Sequence, residues 1–247
     1  MASDRALWIT WYNLPDEGRD AYLHWLHESH IPALLKRDGF LWAAHYASLG
    51  EGAKVPRRTS GVKNTTSDPS VPKGDRYILL VGGTDAHVFG NPVPSVLHAG
   101  LPEASRKLLA MRIGERTNIM VEAARVEGPE ARHYKDGMVL APCIQMGTFQ
   151  CRHQDEEEAL AWYAQWRLPA MARMAGCVRT RKLASVCGWA KHSILYEFLS
   201  LEARNHFIAT HEDGDANREW TDKVIASLTH APGSANIARR IWPAAND

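Results

Sequence analysis

Apolar positions along this chain alternate between two rhythms, and the switches mark its elements. Leu7-Trp8-Ile9-Thr10-Trp11-Tyr12 is dense in β-branched and aromatic residues, and Asn13-Leu14-Pro15-Asp16-Glu17-Gly18 punctuates it, so 7–12 reads as a strand followed by a turn. The period then changes: Leu23, Leu26, His30 and Leu34 recur at three- and four-residue steps, the buried stripe of an amphipathic helix. Pro32 cannot donate to the carbonyl of residue 28, which predicts a kink or restart there. Gly39 is placed to end the helix in a left-handed turn. Segments 40–46, 77–81 and 117–126 read as further strands and 102–112 as a second helix, giving βαββαβ.

The same order recurs in strands 143–149, 178–183, 194–200 and 235–242 with helices 156–174 and 216–228. An offset of 137 lays Leu23, Trp25, Pro32, Ala33 and Gly39 on Leu160, Trp162, Pro169, Ala170 and Gly176. Farther on, an offset of 118 pairs Phe89 with Phe207, Asn118 with Asn236 and Ile119 with Ile237, and it lays 77–81 on 195–199. The drop from 137 to 118 assigns a 19-residue excess to the first copy, in the polar, Gly- and Pro-rich stretch 51–75. The chain is therefore read as a tandem duplication of class α+β. A ferredoxin-like repeat over 1–128, with a long loop at 50–75, precedes a second over 136–247. Each antiparallel sheet keeps both helices on one face. The open faces are expected to pack together as an intrachain dimeric α/β barrel.

Trp25-x4-His30-x-Pro32 followed by Gly39-Phe40, set between two strands, resembles the EthD-type branch of the dimeric α/β-barrel superfamily. Most members build the barrel with a second subunit, and here the duplicated chain supplies both halves. The family includes lactone isomerases, polyketide cyclases, cofactor-free monooxygenases, haem-binding enzymes and proteins of xenobiotic breakdown. The resemblance implies a pocket between sheet and helices with His30 pointing into it. Its match in the second copy is Arg167, a departure from the pattern, and arginine is no general base near neutral pH. The first copy is thus expected to hold the site, with the long loop, which carries Arg57, as a candidate lid.

An imidazole on an apolar stripe suits proton transfer, so His30 is the leading catalytic candidate. A core histidine tied to a backbone carbonyl is the competing reading. His45 and Tyr12 stand on flanking strands, where alternation decides between the helix side and the barrel interior. Asp85 and His87 follow Gly82-Gly83 just after the third strand, and helix capping is the equal alternative. Trp8, Trp11, Trp42, His27 and Arg57 are candidate substrate contacts. His24, His27 and His30 stand at steps that spread them around a helix, so no metal site is expected. Haem through His30 or His27 is the alternative cofactor to none. Arg179 and Arg181 share a strand face suited to a carboxylate, with solvated salt bridges as the competing reading.

Bulk properties narrow this little further. Lys and Arg number 29 against 28 Asp and Glu, which gives no support to nucleic-acid or membrane-surface binding. The chain has no apolar run of membrane-span length, and its start lacks the pattern of a signal peptide, so a cytoplasmic location is expected. Cys143, Cys151, Cys177 and Cys187 form no Cys-x-x-Cys pair and are read as buried and inert. The expected function is cofactor-independent isomerase, cyclase or lyase chemistry on a small aromatic or lactone-type molecule. The alternatives are a haem-binding or peroxidase-like protein, a cofactor-free monooxygenase, and a non-catalytic binding module. A small molecule is the expected partner, and a further homodimer is allowed.

Overall fold

The computed structural model describes residues 4–50, 64–133, 140–207 and 217–244. Strands β1 (Ala6–Asn13), β2 (Phe40–Ser48), β4 (Tyr77–Gly83) and β5 (Ile113–Glu127) belong to the first copy. β6 (Cys143–Cys151), β7 (Cys177–Cys187), β8 (His192–Phe198) and β10 (Asn236–Trp242) belong to the second. They form one ring in the order β10-β2-β4-β1-β5-β7-β8-β6, closed by β6 pairing with β10. Every pairing in the ring is antiparallel, and the copies meet at two seams, β5 on β7 and β10 on β2. Closure leaves the ring no free edge. Two short strands, β3 (Asn64–Thr65) and β9 (Leu228–His230), extend from β6 outside it.

Strand alternation sorts the aromatic residues into two cores. Leu7, Ile9, Trp11, Trp42 and Tyr46 fill the barrel interior with Ile144, Met146 and Leu195 from the second copy. Trp8 and Tyr12 face outward, against Tyr22, Leu26, Ile31 and Leu34 of the first copy's helix. That helix comprises α1 (Arg19–Trp25), a π turn (Leu26–His30) and α2 (Ile31–Leu34). The disturbance expected at Pro32 is thus a widened turn just before it. The second copy repeats the device with α5 (Glu156–Trp162), a π turn (Tyr163–Arg167) and α6 (Leu168–Ala172). Gly39 and Gly176 end the two helices at φ of 81° and 85°, the left-handed turn that the sequence requires. Trp25 Nε1 donates to Ser105 Oγ in α4 (Glu103–Leu109), and Trp162 Nε1 donates to Thr221 Oγ1 in α7 (Arg218–Ser227). The motif tryptophan ties the two helices of each copy together.

The ladders correct the match of the third strands. Tyr12 lies opposite Tyr77, and its equivalent Phe149 lies opposite His192, so the offset there is 115 (192 less 77), not 118. Trp8 opposite Ile119 and Gln145 opposite Ile237 keep 118 for the fourth strands. The first copy therefore carries 22 extra residues before β4 (137 less 115), and the second carries three after β8. An odd error exchanges the two faces of a strand, which is why pattern matching alone is unforgiving here.

Arg179 and Arg181 are not solvated. Arg181 is fully buried in the barrel mouth, where it donates to Asp4 Oδ2 (2.8 Å) and Glu122 Oε2 (2.6 Å). Arg179 pairs with Glu127 (2.9 Å) and lies 4.0 Å from buried Glu197, whose carboxyl burial pushes up. Charges taken out of water persist only when paired, and this network pairs them. Cys143 and Cys177 are buried, with burial pushing their thiols up to about 12. Cys151 is half-buried and Cys187 exposed, so the expectation of burial fails for these two. Among the described residues, no helix is long and apolar enough to cross a membrane.

Candidate active site

The π turn brings His30 under the sheet, where it is only 4% exposed. Trp25 stacks on its ring with centres 4.8 Å apart, and His98, on α3 (Pro94–Ala99), lies 5.8 Å away. Trp8 closes the other side of His98, at 5.6 Å. Nε2 of His30 and Nε2 of His98 are both buried without a hydrogen-bond partner. Such atoms cost free energy unless something occupies the space they face. Burial, then the Arg112 cation, then His98, push the His30 imidazole down to about 3. Burial and Arg112 push His98 down to about 4. Both rings are neutral near neutral pH.

A hydrogen-bonded relay runs beside this pair. His27 Nε2 lies 2.8 Å from His45 Nδ1, and His45 Nε2 lies 2.8 Å from the Tyr12 hydroxyl. Tyr12 and His45 are fully buried and share the helix side of the sheet. Burial, then His27, then Arg112, hold His45 well below its usual value, while burial raises the Tyr12 phenol. A neutral imidazole has one N–H, so a proton accepted at one nitrogen of His45 requires release at the other. The relay starts at half-buried His27, which stacks on Trp242 at 5.8 Å, a residue supplied by the second copy across the β10–β2 seam. Tyr77 packs on both Tyr12 (5.7 Å) and His45 (5.5 Å).

Arg112 is a permanent positive charge that acts on both groups, lowering His30, His98 and His45. Its guanidinium lies 4.6 Å over the Tyr12 ring, Nε donates to the Tyr22 hydroxyl (2.7 Å) and Nη1 pairs with Glu115 (2.6 Å). Nη2 is buried without a partner. Despite burial, the neighbouring phenols and Glu115 keep the group firmly protonated. The arrangement can hold an anion beside two neutral imidazoles.

The structure brings His30, His27, His45, Tyr12 and Trp8 to one place. Trp11 and Trp42 lie on the other face of the sheet, in the barrel, where Trp42 Nε1 donates to Asp4 Oδ2 (3.0 Å). Asp85 and His87 are also elsewhere. Asp85 Oδ1 accepts from the His87 backbone N–H at 2.8 Å to cap the turn Ala86–Phe89, and the His87 side chain is fully exposed. They border an open cleft of about 910 Å³ with Lys36, Arg37 and Asn91, past the Gly83 end of β4, whereas Tyr12 pairs at its Tyr77 end. Arg57, with the loop residues 51–63 around it, lies outside the described residues. Asn64 and Thr65 pair with β9 of the second copy, and the Pro72 and Gly74 carbonyls accept from Arg116 (3.2 Å each).

His98, Tyr22, Arg112, Tyr77 and Trp242 were not singled out by sequence reasoning. A buried arginine or histidine outside the apolar stripe has no periodic signature, and Trp242 requires the barrel closure to arrive. Among the described residues, no group of three or more His, Cys, Asp or Glu side chains could hold a metal ion. As for haem, an axial ligand must present its nitrogen to a wide flat slot. His27 Nε2 is taken by His45 and so does not fit that role, whereas His30 Nε2 has no partner but its ring lies between Trp25 and His98.

No protein-family model and no curated protein matches the chain. Solved structures do. An anthrone oxidase-like protein superposes with a TM-score of 0.62 at 10% identity, covering 97% of this chain and 92% of the other. A candidate monooxygenase from Fusobacterium nucleatum gives 0.60 at 8% identity over 98% and 94%. The chlorite dismutase of Candidatus Nitrospira defluvii, solved with imidazole, gives 0.52 at 8% identity over 98% and 93%. These likenesses do not single out the EthD branch. At such identity they establish architecture alone: the chain has the duplicated, ferredoxin-like, closed-barrel fold of the dimeric α/β-barrel proteins.

Proposed function

We propose that the protein is a cofactor-free oxygenase acting on a small, electron-rich aromatic molecule with an acidic C–H or O–H. The observation that carries this reading is the pair of buried, neutral imidazoles with free Nε2 atoms beside the Arg112 cation. His30 accepts the proton, and Arg112 stabilises the substrate anion that forms. The same cation makes His30 a weak base when the site is empty, so deprotonation depends on the anion staying close. The electron-rich anion gives an electron to dioxygen, the two radicals combine, and the hydroperoxide loses water. A CH2 group plus O2 becomes C=O plus H2O. His27, His45 and Tyr12 pass a proton between the buried site and the surface. The aromatic walls Trp8, Trp25 and Tyr22 suit a flat substrate. None of the six residues of α3 is buried, so this cover over His30 has little packing to lose on opening. The names of the structural neighbours, an oxidase-like protein and a monooxygenase, agree with oxygen as co-substrate.

The test is dioxygen uptake with anthrone and with a panel of hydroxyaromatic compounds, corrected for spontaneous oxidation. Wild type is expected to consume one O2 per carbonyl formed. His30→Ala should lower kcat by roughly 100-fold with the fold intact by circular dichroism. Unchanged turnover in His30→Ala sinks the assignment. Substrate loss without oxygen uptake would replace it with isomerase or lyase chemistry at the same base.

A further inference from the structure

The second copy carries a different chemical group where the first has His45. Lys182, 137 positions on, stands on β7 opposite Ile194 as His45 stands on β2 opposite Leu79. It is 9% exposed. Its Nζ lies 3.3 Å from His192 Nδ1 and 3.3 Å from the Leu183 carbonyl oxygen. The rings of Phe149 and Tyr163 flank it at 5.4 and 5.2 Å. His192 Nε2 in turn lies 3.1 Å from Glu156 Oε1, which also takes Lys191 from the surface. Among the described residues, no carboxylate forms an ion pair with Lys182. A buried lysine is normally held by one, or lets its chain reach water. Here the amine instead meets an imidazole that leads outward to a half-buried glutamate.

We propose that Lys182 is a nucleophilic amine that condenses with a small aldehyde or ketone to form an imine, with His192 and Glu156 carrying the protons. The nitrogen lone pair attacks the carbonyl carbon, forming N–C as the C=O π bond opens. One amine proton passes through His192 to the new alkoxide. The second amine proton leaves by the same route and protonates the hydroxyl, which departs as water as C=N forms. Amine plus carbonyl thus gives imine plus water, with no oxidant or reductant. Burial lowers the amine to about 8, against partial offsets from Cys151 and Glu156, so a useful fraction is uncharged near neutral pH. The imine becomes an iminium by taking one further proton from solvent through Glu156 and His192, and Phe149 and Tyr163 favour that cation and keep out the water that would hydrolyse it. The site does not depend on the function assigned to the first copy.

The experiment is reductive trapping on the full chain: propanal with cyanoborohydride at pH 7 for short times, followed by proteolysis and mass spectrometry. An amine near 8 has on the order of 100-fold more free base at pH 7 than an ordinary lysine. Lys182 should therefore gain a propyl group at least tenfold faster than Lys107 and Lys223, which are 75% and 66% exposed. His192→Ala should slow labelling at Lys182 several-fold and leave Lys107 unchanged. Lys182→Arg is the peptide control, and its own stability does not affect the wild-type result. Labelling of Lys182 no faster than of Lys107, or only in denaturant, would overturn the proposal.

Discussion

His30→Asn isolates the free energy of keeping one imidazole neutral in the core. The unfolded ring titrates near its ordinary 6.5, and the folded ring at about 3. Between those values the unfolded state binds a proton that the folded state refuses. Stability from this group is thus complete above roughly pH 6.5 and is lost as pH falls toward 3. Integrating the difference from about pH 6.5 to 4.5 gives about 2 kcal/mol, since each unit of pH at full slope contributes about 1.4 kcal/mol. Asparagine does not titrate, so the variant lacks this loss. The assay is urea denaturation of both proteins at half-unit steps over that window. Carboxylates common to both cancel in the difference, leaving wild type to lose about 2 kcal/mol more than His30→Asn. Parallel profiles within roughly 0.5 kcal/mol would refute the claim that the ring is desolvated beside Arg112.

Two further perturbations test the barrel that frames the site. Asp4→Ala removes the carboxylate that accepts from both Arg181 (2.8 Å) and Arg125 (2.6 Å), leaving Glu122 as the carboxylate that, among the described residues, still accepts from buried Arg181. A destabilisation of about 3 kcal/mol is expected in the free energy from urea unfolding, and a loss below about 1 kcal/mol would mean that the network is solvated. Gly82→Ala places a methyl group on the Trp42 indole, packed inside the closed ring. Overpacking there should cost about 1–3 kcal/mol, read as a lower melting temperature, and an unchanged melt would show that Trp42 has room to move.

The sequence alone determined what depends on neighbours along the chain. Local periodicity marked both helices of the repeat and its strands, Pro32 and Gly39 marked where the first helix is disturbed and ends, and the repeated Trp25 and Trp162 exposed the duplication. His30 on the stripe and Arg167 in its place followed from the same signals. A local pattern says that one side of an element is buried, but not against what.

Only the tertiary structure decided which side of each strand meets the helices, because alternation has a period of two and a single-residue slip inverts it. That choice put Trp8 beside His98, sent Trp11 and Trp42 into the barrel, and set His45 between His27 and Tyr12. The third-strand offset likewise emerged only from the hydrogen-bond ladder. Trp242 reaches His27 because closing the ring sets the last strand beside the second. His98 and Lys182 owe their lowered proton affinities to burial among residues distant in sequence, and Arg112 keeps its proton against burial because the phenols of Tyr12 and Tyr22 lie beside it. Desolvation depends on three-dimensional packing density, a quantity that no window along the chain contains.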